Sequence, residues 1–461
     1  MNLYGIVAFC RNRGIANHSQ IPWRIREDMI FFRNKTVSNV VVMGFNTYKS
    51  IPSMPLSNRT NIVITSKSIE ILPSDTGIVF LPIERVVEYL ETNHANDTVF
   101  VCGGQQVYTY FMNKMTKLFV TFIDKQFDCD TFFPPISESF ELIGHTKRFD
   151  TQEDCSFWFL EYEMNKKSVN TTDRSYSELL CSILENKNDV RMDRTGTNTI
   201  SKFGGQITFD IQKYIPILTT KRVPWKSCIK ELLWFLKGDS NANTLKEDGV
   251  HIWDGNSSKE FQEKVGLSHL KEGDCGANYS FQWRHFGQTY IDCNTMYEKH
   301  TPCDQIQNIL KLLKTDPYSR RIFLSAWNPC DLNKTVLPPC HVSAQFYVGN
   351  DNTISCHMYQ RSCDVFLGLP WNIMSYAVLT HILGKKSGLT PKQLTISFGD
   401  THVYTNHMEQ VQKQLERTYL SQPVLILNDE LNHKEIDDIT PDDFELVGYF
   451  PHPSIRGEMS V

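Results

Sequence analysis

The sequence predicts two domains of different class: an N-terminal α/β domain with a mainly parallel central sheet, then a C-terminal α+β domain. Three observations predict this. The chain has 461 residues, too many for one domain at about 150 residues each. Short runs rich in Val, Ile, Phe and Thr alternate with helical stretches through the first third. Past a polar interval the helices lengthen and the strands show two-residue alternation. A hydrophobic share of 41% and a charged share of 21% are those of a globular chain and exclude wholesale disorder.

In the first domain Leu3–Phe9, Val40–Met43, Asn61–Thr65, Thr98–Cys102 and Leu118–Ile123 read as strands. Their β-branched and aromatic side chains suit a pleated, half-buried surface. Asp28–Arg33, Asn46–Ser50, Ile83–Thr92 and Gln105–Met112 read as the helices between them. Such alternation lays crossovers over the sheet and so implies parallel pairing. Glu163 to Asp173 is polar and without apolar period, which marks a boundary. The expected division is 1–163, a junction at 164–173, and 174–461. In the second domain Tyr176–Glu185, Trp225–Lys237, Cys303–Thr315 and Trp371–Gly384 read as helices, and Val342–Val348 as an alternating strand. About 290 residues bury a substantial core.

Composition excludes several classes. With 47 basic and 52 acidic residues the net charge is −5, which is not the balance of a dedicated nucleic-acid or anionic-membrane binder. No run approaches the ~18 apolar residues of a membrane span. Met1-Asn2-Leu3-Tyr4-Gly5 enters a strand directly, so no secretory signal is expected. The 13 cysteines contain no C-x-x-C pair. Zinc-knuckle spacing is therefore absent, no metal is expected, and the thiols read as reduced in a cytoplasmic setting.

Asp28 shares a helix face with Phe31 and Phe32, just after Ile21-Pro22-Trp23. A carboxylate among aromatics is desolvated, its pKa rises, and it can relay a proton near neutral pH. The other reading is an acid in a first turn, favoured by the helix dipole. Two strand–glycine–helix junctions follow, Val40-Val41-Val42-Met43-Gly44 and Val99-Phe100-Val101-Cys102-Gly103-Gly104. Glycine admits close approach of a ligand, and the following helix offers unpaired N–H groups to a phosphate.

These pieces, with Gly14-Ile15, Thr47, Arg59, Val107-Tyr108, Thr121 and Asp130-Thr131-Phe132-Phe133-Pro134, make residues 1–163 resemble dihydrofolate reductase. The resemblance implies NADPH-dependent reduction of dihydrofolate. Asp28 would bind the pterin and support protonation at N5, with Thr121 assisting. Phe32 would pack on the folate and Arg59 would pair with its α-carboxylate. Ala8, Gly14, Ile15, Gly44, Thr47, Gly103, Gly104 and Tyr108 would lie along the cofactor. The family's basic residue after Met-Gly is missing: Phe45 and Asn46 stand there. That leaves Thr65, Ser66 and Lys67 for the 2′-phosphate.

In the second domain Cys340 follows Leu337-Pro338-Pro339 at the mouth of a strand. A thiol exposed at such a junction is a nucleophile if cations lower its pKa, and otherwise an inert thiol. Arg194, Arg320, Arg321 and Arg361, set among Ser, Thr and Gly, have the chemistry that holds a phosphate dianion. Glu231 interrupts a helix that is otherwise apolar nearly all round, Ile229 to Leu236. If buried it needs a partner or a proton role, and if at an edge it is solvated.

Arg194-Thr195-Gly196-Thr197, Glu231-Leu232-Leu233-Trp234-Phe235-Leu236, Gln282-Trp283-Arg284, Pro339-Cys340-His341, Gln360-Arg361-Ser362-Cys363-Asp364 and Gly399-Asp400-Thr401-His402-Val403-Tyr404 make 174–461 resemble thymidylate synthase. By that resemblance Cys340 attacks C6 of dUMP, and C5 takes a methylene from 5,10-methylenetetrahydrofolate. Arg194, Arg361, Ser362 and a partner chain's Arg320 and Arg321 would hold the phosphate. Asn372 would read the uracil edge, beside His341 and Gln360, and His402 and Tyr404 the ribose 3′-hydroxyl. Glu231 and Tyr279 would manage proton transfers. Asp364 and Trp253 would contact the folate, and Val461 would close over the ligands. The usual Gly-Pro-Val-Tyr-Gly stretch reads Gly276-Ala277-Asn278-Tyr279-Ser280, with the tyrosine kept.

The whole chain thus resembles the bifunctional dihydrofolate reductase–thymidylate synthase family. That implies a homodimer through the synthase domain, with dUMP and folates as small-molecule partners. Three rivals are a deoxycytidylate hydroxymethylase-like second domain, a non-catalytic nucleotide-binding scaffold, and a chain whose synthase works while its reductase has decayed, which Phe45 and Asn46 keep open. Asn372 opposes the first, and the presence of Cys340, Arg361 and Asp28 together opposes the second.

Overall fold

The computed structural model describes residues 1–66, 77–186, 189–192, 196–298 and 303–459. It divides into two compact units, Met1–Val169 and Asn170–Val461.

The first unit runs β1 (Asn2–Cys10), β2 (Gly14–Ala16), α1 (Arg26–Thr36), β3 (Val40–Gly44), α2 (Phe45–Ser50), β4 (Thr60–Ile64), β5 (Ile78–Leu81), α3 (Ile83–Asn93), β6 (Thr98–Val101), α4 (Gln105–Phe111), β7 (Lys117–Ile123), β8 (Thr131–Phe132), β9 (Phe140–Asp150) and β10 (Cys155–Met164). Eight strands form one sheet in the order β5-β4-β3-β6-β1-β7-β10-β9. Pairings from β5 through β7 are parallel, and β10 is antiparallel to β7 and β9. The predicted parallel core is therefore present. Val40 to Met43 and Val99 to Val101 are buried throughout, as strands covered on both faces must be. The β9–β10 hairpin has no counterpart in the sequence reading. Most of β9 beyond Leu142 is exposed or half-buried, which erases the alternation that betrays a strand.

The second unit runs α5 (Thr171–Leu184), β11 (Val190–Met192), β12 (Asn198–Asp210), α6 (Trp225–Lys237), α7 (Ala242–Glu247), α8 (Lys259–Lys264), α9 (Tyr279–His285), α10 (Gln305–Thr315), β13 (Phe323–Ser325), β14 (His341–Val348), β15 (Thr353–Asp364), α11 (Leu369–Ser387), β16 (Thr390–Tyr404), α12 (Met408–Leu415), β17 (Val424–Leu427) and β18 (Phe444–Val447). Its six-stranded sheet has the order β11-β12-β16-β15-β14-β13, with β15–β16 the parallel pair. Helix α11 packs on β15 and β16 and against α6. Both helices end on a left-handed glycine, Gly238 after α6 and Gly388 after α11.

Met164 closes β10 and Thr171 opens α5, capped by Asn170. Asp173 is fully buried and accepts hydrogen bonds from the backbone and hydroxyls of Thr219 and Thr220. A buried polar cap and a solvated linker read alike in sequence. Among the described residues no helix is long and apolar enough to cross a membrane.

Candidate active sites

A cleft of about 840 Å³ opens in the first unit at the C-terminal ends of β3, β4 and β6, large enough for a small-molecule ligand. Asp28 enters it from the first turn of α1 and is 9% exposed. Burial pushes its carboxyl up to about 6, opposed by a hydrogen bond from Thr121. The register Ala8↔Thr121 between β1 and β7 brings that hydroxyl to the carboxylate. Phe31 and Phe32 part company. Phe31 stacks on Phe159 with centroids 4.3 Å apart, and Phe32 lines the cleft. Arg59 lies over the Phe32 ring at 5.9 Å and donates to Thr36 Oγ1 at 3.0 Å.

Ala8, Ile15, Gly44, Thr47, Thr65, Ser66, Gly103, Gly104 and Tyr108 all line the same cleft. Gly14 does not line it but pairs with Phe132 between β2 and β8, holding Ile15 in place. The two glycine junctions meet: Gly44 N–H donates to Gly103 O at 2.7 Å. A Cβ on Gly103 would sit 3.3 Å from the Tyr108 ring, and one on Gly44 3.2 Å from Val107. Tyr108 is buried and donates to Ile6 O at 2.7 Å. Side-chain-free backbone over a fixed floor fits an extended dinucleotide. Lys67 lies outside the described residues.

In the second unit the carboxylate in α6 is buried, which settles the two readings of Glu231. Trp253 Nε1 donates to its Oε1 at 2.7 Å and Trp371 Nε1 to its Oε2 at 2.6 Å. Burial still lifts its pKa to about 7. His341 stacks on Tyr279 at 4.0 Å and lies 2.8 Å from Tyr376 Oη through Nδ1. Burial depresses this imidazole to about 3, so it is neutral. Glu231, His341 and Asn372 line one small cavity with Tyr376 and Ser375.

Cys340 is half-buried at the turn before β14. Its N–H donates to Tyr279 Oη at 2.6 Å, which seats the phenol beside the thiol. Arg361 rises from β15 over the same turn. Its Nε and Nη2 donate to Pro339 O and Pro338 O, each at 2.8 Å, and its guanidinium lies over Trp327 at 5.4 Å. Gln360 Nε2 donates to Asn372 Oδ1 at 3.0 Å and to Ser362 O at 3.2 Å. Parallel registers Ser362↔Asp400 and Asp364↔His402 align the two strand ends, and Tyr404 packs edge-on to His402 at 5.4 Å. Asp364 accepts from the N–H groups of Phe366 and Leu367.

Arg320 and Arg321 are exposed before β13, and Phe323↔Gln345 sets them toward the far end of β14 from Cys340. Seven or so residues at about 3.4 Å each make the separation roughly 24 Å. Arg194 and Val461 lie outside the described residues. The sequence reading missed Trp371, the second donor to Glu231, and Lys221. Lys221 is buried, donates to Phe366 O, and is depressed to about 7 by burial despite the nearby Asp364. A buried lysine in Thr219-Thr220-Lys221-Arg222 has no sequence signal apart from its polar neighbours. Among the described residues no group of His, Cys, Asp and Glu could hold a metal ion.

The thymidylate synthase family profile matches residues 174–461 and the dihydrofolate reductase profile residues 2–164. Bifunctional dihydrofolate reductase-thymidylate synthases align along the whole chain. That of Leishmania major is 39% identical, covering 99% of this chain and 94% of its own. That of Paramecium tetraurelia is 38% identical over 99% and 98%. That of Zea mays is 37% identical over 100% and 97%.

Proposed function

This chain belongs to the bifunctional dihydrofolate reductase–thymidylate synthase family, and from that premise we infer how its own residues carry the two reactions. The second unit methylates dUMP to dTMP with 5,10-methylenetetrahydrofolate, and the first reduces the dihydrofolate so formed. We assign 1–163 to the reductase, 164–173 to the junction and 174–461 to the synthase.

In the reductase, NADPH supplies the hydride when bound along Ala8, Ile15, Gly44, Thr47, Gly103, Gly104 and Tyr108, with Thr65 and Ser66 at the phosphate end. Asp28 binds the pterin through its carboxylate and, with a pKa raised to about 6, is poised to relay a proton toward N5 near neutral pH. Thr121 orients that carboxylate, Phe32 packs on the folate, and Arg59 pairs with its α-carboxylate.

In the synthase, Cys340 adds to C6 of dUMP. Arg361 and Ser362, joined by Arg194, hold the phosphate beside it. Asn372, fixed by Gln360, reads the uracil edge, while His402 and Tyr404 take the ribose hydroxyl. Glu231, poised at about 7 between two indole N–H groups, moves protons near the base, and Tyr279 does so beside Cys340. Trp253, Asp364 and Val461 complete the folate side. Arg320 and Arg321 serve a partner's phosphate in a homodimer. Their exposure and their distance from their own Cys340 support this, as do the exposed Phe323, Tyr347 and Tyr359 on neighbouring strands. Thirteen free thiols favour a cytoplasmic setting.

The observation that carries this reading is that each candidate site contains a buried carboxyl lifted toward neutrality, Asp28 in the cleft and Glu231 between two indole N–H groups. Cys340→Ser should abolish dTMP formation and leave dihydrofolate reduction intact, measured spectrophotometrically on one preparation. A folded variant that loses both activities would overturn the division of labour.

A further inference from the structure

Three parallel strand ends meet at one rim of the reductase cleft. The register Gly44↔Ile64 sets Phe45 and Asn46 beside Thr65 and Ser66. The pairing Ile64↔Leu81, with Thr65 N–H donating to Leu81 O at 2.9 Å, sets Pro82, Ile83 and Glu84 beside those in turn. Phe45, Asn46, Thr65, Ser66, Pro82, Ile83 and Glu84 all line the cleft. This rim is the end of the site where the 2′-position of a bound dinucleotide was expected.

Among the described residues that line the cleft at this rim the charged side chain is Glu84, the reverse of what a phosphate dianion requires, and Lys49 Nζ, outside the lining, lies over the Phe45 ring at 5.0 Å. Among the described residues lining the cleft there is no lysine or arginine, and the two carboxylates are Asp28 at the pterin end and Glu84 at the rim. Glu84 is in the first turn of α3, is exposed, and has no ion-pair partner among the described residues. The adjacent Arg85 pairs instead with Glu88 at 3.6 Å. No side chain caps α3, since Pro82 holds the cap position. The Glu84 carboxylate thus occupies the helix end that would otherwise attract a phosphate.

A carboxylate at such a position accepts a hydrogen bond from a ribose 2′-hydroxyl and repels a 2′-phosphate. We propose that Glu84 is a specificity-determining residue of the reductase. It flattens the preference for the phosphorylated dinucleotide and lets the enzyme accept NADH as well as NADPH. The proposal rests on reading this cleft as the dinucleotide site.

The test is equilibrium titration of the full chain with NADPH and separately with NADH, followed by quenching of protein fluorescence. Glu84→Gln and Glu84→Lys are compared with the unmodified protein at two ionic strengths. Glu84 is exposed, so neither variant should perturb folding. Glu84→Gln should tighten NADPH about fivefold, the size of one like-charge contact near a surface, and weaken NADH severalfold. Glu84→Lys should widen the ratio further, and added salt should compress the NADPH gain. If both dissociation constants move by the same factor, or neither moves, Glu84 does not set the preference. If neither nucleotide binds the unmodified chain, the reading of the cleft itself fails.

Discussion

Above about pH 6 the Asp28 carboxylate is ionised inside the cleft wall, a penalty that the unfolded chain does not carry. Between the unfolded value of 3.8 and the folded value of about 6 the native state binds the extra proton. Stability therefore falls as pH rises through that window, and the penalty is complete above it. A shift of this size is worth roughly 3 kcal/mol. Asp28→Asn keeps an acceptor for Thr121 but cannot ionise. At pH 7 it should be more stable than the unmodified chain by up to a few kcal/mol, with the difference vanishing near pH 4. Its reductase turnover at neutral pH should drop by about 10²–10⁴. Denaturant unfolding at the two pH values, beside the assay, separates these effects. Equal stability at both would mean that Asp28 is not ionised in a desolvated site.

At the scale of elements, the glycine junctions are where local sequence determines the site. Gly103 has φ +115°, and a Cβ there would press on the Tyr108 ring. Gly103→Ala should weaken dinucleotide binding and lower reductase-unit stability by about 1–3 kcal/mol, checked by calorimetry and titration, while dTMP formation is spared. Such junctions were legible because strand, glycine and helix are contiguous in the chain. Helix α6 was equally legible, its bounds read as found, because its apolar faces and its C-terminal glycine are local. The burial of Asp28 came through for the same reason. What stayed hidden depends on distant partners. Trp371 reaches Glu231 across 140 residues, and nothing near either announces it. Strands β12, β15 and β16 went unnamed in the sequence, although Ile354, Cys356 and Met358 on β15 and Leu394, Ile396 and Phe398 on β16 alternate with Ser, His, Tyr and Thr. Lys221 and Asp173 look like surface residues until the fold buries them.

For the whole molecule, the assignment of Arg320 and Arg321 to a partner has a numerical consequence. Cys340→Ser and an Arg320→Ala, Arg321→Ala double variant should each be nearly inactive as homodimers in dTMP formation. Unfolded or dissociated together and reassociated in equal amounts, about half the dimers are mixed, and each mixed dimer has one intact site. Roughly a quarter of the unmodified activity should return. A mixture as inactive as its parents, despite verified exchange, would place the arginines elsewhere. The exposed face of the six-stranded sheet bears on thermodynamics as well as on catalysis. Phe203 is 83% and Tyr347 70% exposed in the single chain, a surface that favours association. In the proposed dimer the melting of the synthase unit obeys mass action: each tenfold dilution removes about 1.4 kcal/mol from the folded pair. The reductase unit, whose cleft is complete within one chain, is indifferent to dilution. One polypeptide then carries two stabilities, one intrinsic to the chain and the other set by how much of the protein is present.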